Sequence, residues 1–211
     1  MTQTSQALTL CVFRHGQTQW NVDRRFQGHI DIPLNEVGQQ QAQALADQCQ
    51  SLADDFPISH IYSSDLKRAS HTAQAVADVF DIPVTTTPDL REARMGQVEG
   101  LTRDESIELM GQRFIDLWLG DPGHPEAKDL RFKDGESRAE VVERACALIN
   151  TWKEKHAGET IAMSSHGGVV RHVLGTLLPD QQSAFSRIPN ATLFVIRWHP
   201  EQQSWSLLLA P

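Results

Sequence analysis

The chain has 211 residues, of which 40% are hydrophobic and 22% charged, and a formal net charge of −8. That length and composition suit one packed domain spanning 1–211 and lie far from disordered or fibrous chains. Its acidity argues against nucleic acid as a partner, because a polyphosphate backbone is met by clustered Lys and Arg, so any anionic ligand needs a local basic pocket.

Met1–Ala7 is polar and lacks the basic and apolar blocks of a secretion signal, and no apolar run approaches the length of a membrane span. Cys11, Cys49 and Cys146 are odd in number and well separated, which fits reduced, packed thiols. The expectation is a cytoplasmic protein with no membrane partner. Leu8–Phe13 (LTLCVF) then reads as a strand buried on both faces. Past Asn35, Ala42, Leu45, Cys49 and Leu52 make one helical stripe, and Ile58–Tyr62 reads as a second strand. Between Asp65 and Phe80 the apolar residues Leu66, Ala69, Ala73, Val76, Ala77 and Phe80 follow the helical period, leaving Arg68 off the stripe.

From about 101 to 135 the pattern breaks down. Helical fragments around Ile107–Leu119 give way to a Gly-, Pro- and charge-rich stretch, read as a cap-like excursion of the kind that carries substrate selectivity. Ser137 and Glu140 form a candidate capping box for a helix that runs through Trp152 and stops at Gly158. Thr160–Ser164 is a buried strand, Gly167–Leu178 a helix, and Ala191–Trp198 a strand pairing with Ser204–Leu209. The alternation predicts an α/β three-layer sandwich with a mostly parallel central sheet, its ligand site outside the carboxyl ends of the strands.

Chemistry-bearing residues fall at those ends. Arg14-His15-Gly16 follows the first strand: the guanidinium fork suits phosphate oxygens and the glycine allows close backbone approach, so the trio reads as an oxyanion site containing a nucleophile. Ser165-His166-Gly167-Gly168 repeats the placement, with a helix N-terminus that favours anions. Ser63-Ser64-Asp65-Leu66-Lys67-Arg68 does so again, with Arg68 free to turn inward. A cysteine-phosphatase loop, a Gly-x-x-x-x-Gly-Lys loop, a His-Glu-x-x-His helix and an Asp-x-Asp pair are all missing from the sequence.

Together with Asn21, Arg24–Gly28 (RRFQG), Asp31-Ile32-Pro33-Leu34, Gly38, Thr72-Ala73, Leu90-x-Glu92-x-x-x-Gly96-x-x-Glu99-Gly100 and Gly135-Glu136-Ser137, these motifs resemble those of the histidine phosphatase superfamily, the group that includes cofactor-dependent phosphoglycerate mutases. The resemblance runs along most of the chain and implies a phosphoglycerate mutase-like fold. It also implies that His15 attacks phosphorus, that Arg14, Arg68 and His166 hold the equatorial oxygens, that Asn21 and Gln27 line the pocket with Gly16 and Gly167, and that Glu92 donates the proton. Two guanidiniums and an imidazole can stabilise phosphoryl transfer without a metal, so neither metal nor other cofactor is expected.

Three activities compete on this pattern. A mutase of the family would carry an arginine pair after Trp118 to grip a substrate carboxylate, whereas this chain has Leu119-Gly120. Arg103 stands where those mutases carry a substrate-facing lysine, and Arg131 or Lys133 are substitutes within the excursion. Without a firm second anchor, water takes the phosphoryl group, so the expectation is a metal-independent phosphatase acting on small phosphorylated metabolites. Mutase-type transfer and a non-catalytic phosphate-binding regulatory module are the alternatives. The sequence leaves oligomeric state open, a homodimer included.

Overall fold

A computed structural model describes residues 6–120, 124–127 and 129–211; the polar start at 1–5 and part of the charged stretch after Gly120 lie outside the described residues. The first strand, β1 (Leu8–Arg14), is followed by a single helical turn, α1 (Gln19–Val22), and by α2 (Glu36–Ser51), whose N-cap Asn35 accepts from the Gly38 amide through its side chain. Next come β2 (Ile58–Ser64), α3 (Lys67–Phe80) and β3 (Val84–Thr87). The excursion holds α4 (Arg103–Met110) and α5 (Gln112–Leu119). After it run α6 (Arg138–Lys155), β4 (Thr160–Ser165), α7 (Gly167–Leu177), β5 (Leu193–His199) and β6 (Ser204–Leu209).

The strands form one six-stranded sheet in the order β3-β2-β4-β1-β5-β6. β1, β2, β3 and β4 are mutually parallel, while β5 runs antiparallel to both β1 and β6. Alternate side chains of β1 feed two separate cores. Leu8, Leu10 and Val12 pack with α5, α6 and α7, whereas Cys11 and Phe13 pack with α2 and α3. The three-layer sandwich is as the alternation predicts, and no helix among the described residues is long and apolar enough to cross a membrane.

The capping box on α6 is present, with the Ser137 hydroxyl accepting from the Glu140 amide and the Glu140 carboxylate accepting from the Ser137 amide. Some boundaries differ from the sequence reading. β2 and β4 each extend to a serine at the site, Ser64 and Ser165, because hydrogen bonding to neighbouring strands continues past the apolar run. α3 starts at Lys67, since Asp65 is held in a two-pronged pair with Arg91 (2.7 and 2.6 Å) instead of capping the helix. β3, a half-exposed edge strand rich in threonine, is an addition. The excursion is more than a lid: Ile115, Trp118 and Phe132 are buried in the α6/α7 core, with Trp118 and Phe132 ring centroids 4.7 Å apart.

Candidate active site

The carboxyl ends of β1, β2 and β4 converge on a cavity of about 330 Å³, lined among others by Arg14, His15, Asn21, Gln27, Arg68, Glu92 and Gly167. Residues dispersed over the chain are thus gathered at one strand rim, as the doubly wound architecture requires. Six arginines line it among the described residues, against Glu92 as the one carboxylate. An acidic protein has concentrated its positive charge where an anion would sit.

His15 stands at the end of β1, 3% exposed. Its main chain is gripped from both neighbouring strands: its N–H donates to Ser165 O (3.0 Å) and its carbonyl accepts from Ala191 N (3.1 Å) and Asn190 Nδ2 (3.1 Å). Nδ1 lies 2.6 Å from the Gly16 carbonyl oxygen, which can only accept, so Nδ1 carries the hydrogen. Burial, then the charges of Arg14 and Arg68, hold the imidazole pKa well below its ordinary value. The ring is therefore neutral at pH 7 with its lone pair on Nε2, where no proton has to be removed before that nitrogen can bond. Gly16 is required by contact: a Cβ there would sit 2.3 Å from the Gly38 carbonyl oxygen at the start of α2.

The two guanidiniums are fixed by backbone carbonyls. Arg14 donates from Nη1 to Ile188 O (2.5 Å), and its buried Nε–H has no partner among the described residues. Arg68, fully buried, donates to Ile30 O and Gly28 O (both 2.8 Å) and from Nε to His166 Nδ1 (3.2 Å). Burial lowers the Arg68 pKa to about 10, so the group stays charged at neutral pH. Each guanidinium keeps N–H groups uncommitted, since five are available and these contacts use one and three.

His166 sits deeper than the other residues expected at the site. It is fully buried beside His15, with ring centroids 5.2 Å apart, yet it lies behind the cavity wall. Nδ1 accepts from Arg68 Nε, and Nε2 donates to Ser64 Oγ (2.8 Å) because burial and the neighbouring Arg68 keep the ring neutral. Both nitrogens are occupied, so in this arrangement the imidazole orients Arg68.

Glu92 enters from the loop after β3. Its carboxylate accepts from Ala93 N (3.0 Å) and from Gly168 N (3.0 Å) in the first turn of α7. Its carbonyl is held by His29 Nε2 (2.9 Å) and Arg144 Nη2 (3.1 Å). Asn21 completes the capping box of α1, accepting from the N-cap Thr18 amide, and its Oδ1 also accepts from Asn190 Nδ2 (3.2 Å), while the buried Gln27 Oε1 has no partner among the described residues.

Of the substitutes expected for a second anchor, none lines the cavity. Arg103 is paired with Asp116 (2.7 Å) and Arg131 with Glu140 (3.1 Å), both at the surface, and Lys133 is exposed outside the lining. Thr72, Ser64, Arg144, Asn190 and Arg187 are the contributors the sequence reading did not single out. Thr72 and Ser64 were inside quoted motifs, but only the three-dimensional contacts give them a task.

A profile of the histidine phosphatase superfamily (branch 1) matches residues 10–210. Phosphoglycerate mutase-like protein 4 of Arabidopsis thaliana is 34% identical over 198 residues, covering 89% of this chain and 78% of its own. The metal-independent phosphoserine phosphatase of the same plant is 33% identical over 203 residues, covering 95% and 80%. Among solved structures, mycobacterial glucosyl-3-phosphoglycerate phosphatase in complex with VO3 superposes with a TM-score of 0.81 at 28% identity, covering 95% of this chain and 97% of that one.

Proposed function

This chain belongs to the histidine phosphatase superfamily, and from that premise we propose that 1–211 is one catalytic domain, a metal-independent phosphatase that hydrolyses small phosphomonoesters through a phosphohistidine on His15. The supporting observation is the tautomer of His15: Nδ1–H is tied to the Gly16 carbonyl, which leaves Nε2 as a lone pair in a cavity shared with the half-buried Arg14 and the fully buried Arg68.

In this reading Nε2 attacks phosphorus while the bond from phosphorus to the ester oxygen breaks. Arg14 and Arg68 stabilise the charge on the equatorial oxygens through their uncommitted N–H groups, and the Gly16 carbonyl stabilises the positive charge that develops on the imidazole. Asn21 and Gln27 border the phosphoryl group. Glu92, as the protonated acid, gives its proton to the departing alkoxide, and then as carboxylate takes one from the water that attacks phosphohistidine, releasing inorganic phosphate and regenerating Nε2. His166 acts through Arg68.

Rapid acid-free quenching of turnover with a phosphorus-labelled substrate is expected to leave acid-labile, base-stable label on the protein, and His15→Ala to abolish both label and turnover. Undiminished turnover by His15→Ala would remove the assignment.

A further inference from the structure

We propose that Arg187 is a lone, mobile carboxylate contact in this cavity, short of the firm arginine pair that would hold a mutase substrate, and that the preferred substrates are short phosphomonoesters bearing a carboxylate at the end remote from phosphorus; this rests on the phosphatase reading above and names the substrate class of the same site.

The six arginines of the lining have different partners. Arg14 and Arg68 belong to the phosphoryl pocket. Arg25 donates to Gly100 O (2.7 Å) and reaches Glu105 (3.4 Å). Arg138 donates to the Leu117 and Trp118 carbonyls, and Arg171 to those of Leu119 (3.2 Å) and Gly120 (2.8 Å), so that pair secures the end of α5 to the core. Arg187 lines the same cavity, is exposed, and makes no hydrogen bond or ion pair with the described residues.

Its backbone, by contrast, is firmly placed. The next residue, Ile188, gives its carbonyl to Arg14; Asn190 spans His15, Gly16 and Asn21; and the Thr192 carbonyl accepts from Arg14 N (3.2 Å). Successive Cα atoms are about 3.8 Å apart, so a flexible cationic side chain is mounted one residue from a contact to the phosphoryl pocket. Its charge is felt there: Arg187 contributes to the lowering of the Arg14 pKa, after burial. A second anion on the substrate would relieve that repulsion and fill the unused fork.

Geometry suggests the anion. Arg187 brings a guanidinium fork with no partner among the described residues to the lining, and that planar fork matches the two oxygens of a carboxylate. Arg187 is adjacent in sequence to Ile188, whose carbonyl holds Arg14, so a short spacer suffices to join the two anions.

The test compares pairs of substrates that differ by the carboxylate alone: O-phospho-L-serine against O-phosphoethanolamine, and 3-phosphoglycerate against glycerol 3-phosphate. The wild type is expected to favour the carboxylated member of each pair in kcat/KM. Arg187→Ala should shrink that preference roughly 10–100-fold, mainly through KM, and Arg187→Lys should keep part of it. Arg131→Ala, at the surface and away from the cavity, should leave the preference as in wild type. Equal slowing of both members by Arg187→Ala, or a wild type without preference, overturns the contact while leaving the phosphatase reading intact. A wild type that fails to hydrolyse even nitrophenyl phosphate removes the phosphatase reading and the contact with it.

Discussion

The Glu92 carboxylate accepts a hydrogen bond from the backbone amide of Gly168 at 3.0 Å. A side chain at Gly168 is incompatible with this arrangement, because its Cβ would lie 2.4 Å from Glu92 Oε1. The obstacle is the movable end of a side chain, so Gly168→Ala should fold and displace the carboxylate. An alkoxide leaves slowly without a positioned acid, an effect worth roughly 10²–10⁴-fold, whereas nitrophenolate leaves unaided. Glu92→Gln and Gly168→Ala should therefore both depress hydrolysis of alkyl phosphates far more than that of nitrophenyl phosphate. Arg68→Ala should depress both substrates. Equal slowing of both substrates by Glu92→Gln would assign Glu92 to pocket organisation instead of proton transfer.

Thr72 joins the loop after His15 to the helix that carries Arg68. Its hydroxyl donates to the Arg68 carbonyl (2.7 Å) and accepts from the Gly16 amide (3.0 Å). Thr72→Val keeps the shape and strands the buried Gly16 N–H, a loss of about 1–3 kcal/mol. Denaturant unfolding should register that loss and kcat should fall with it, while Thr72→Ser should preserve both. A valine variant as stable and active as wild type would show that the amide finds another acceptor.

Dialysis against a strong chelator should leave kcat unchanged, because the phosphoryl pocket is built from guanidinium and imidazole instead of clustered carboxylates. The group of side chains near enough to share an ion among the described residues, His60, His156 and Glu159, stands at the opposite ends of the strands. It is already linked by hydrogen bonds from Lys155 through Tyr62 to His156 and Glu159. Loss of activity on dialysis, restored by a divalent ion, would contradict this.

Stability should fall on mild acidification. His15 and His166 have folded-state pKa values well below 6.5, chiefly through burial, and His172 is pushed down to about 3 by burial and by Arg138 and Arg171. The unfolded chain therefore binds protons that the folded chain does not. The stabilisation is complete above the unfolded value and is lost as pH falls below about 6.5, by roughly 1.4 kcal/mol per histidine per pH unit. Urea midpoints measured from pH 7.5 to 5 should decline, and His172→Gln should flatten the decline by about one proton. A midpoint independent of pH over that range would mean that these histidines become protonated without unfolding.

The strand-end motifs were legible because chemistry there follows directly on apolar runs: Arg14 and His15 after LTLCVF, and Ser165 and His166 after Thr160–Ser164. Segment 186–192 was illegible for a topological reason. β5 is antiparallel to β1, so the residues preceding it, Arg187 and Asn190 among them, arrive at the rim that parallel strands reach at their ends. β3 was missed because a short, half-exposed edge strand has no apolar signature. Within the excursion, Ile115, Trp118 and Phe132 enter the core from separate pieces of chain, which leaves no period to read. The burial of His166's two nitrogens against Arg68 and Ser64 is a matter of side-chain direction, beyond what a motif encodes.

The placement of β1 in the sheet also shapes how the protein must be made. Thr9 is flanked in the finished sheet by Thr160 and Arg197, so both neighbours of β1 lie well over a hundred residues downstream. At ~5–20 residues per second, synthesis leaves this apolar strand unpaired for on the order of 10 s before its neighbours emerge. β2 and β3 can pair with each other in that time, but β1 waits for β4 and β5. The centre of the sheet and the strand-end site are therefore completed in one step, when those two strands close around β1.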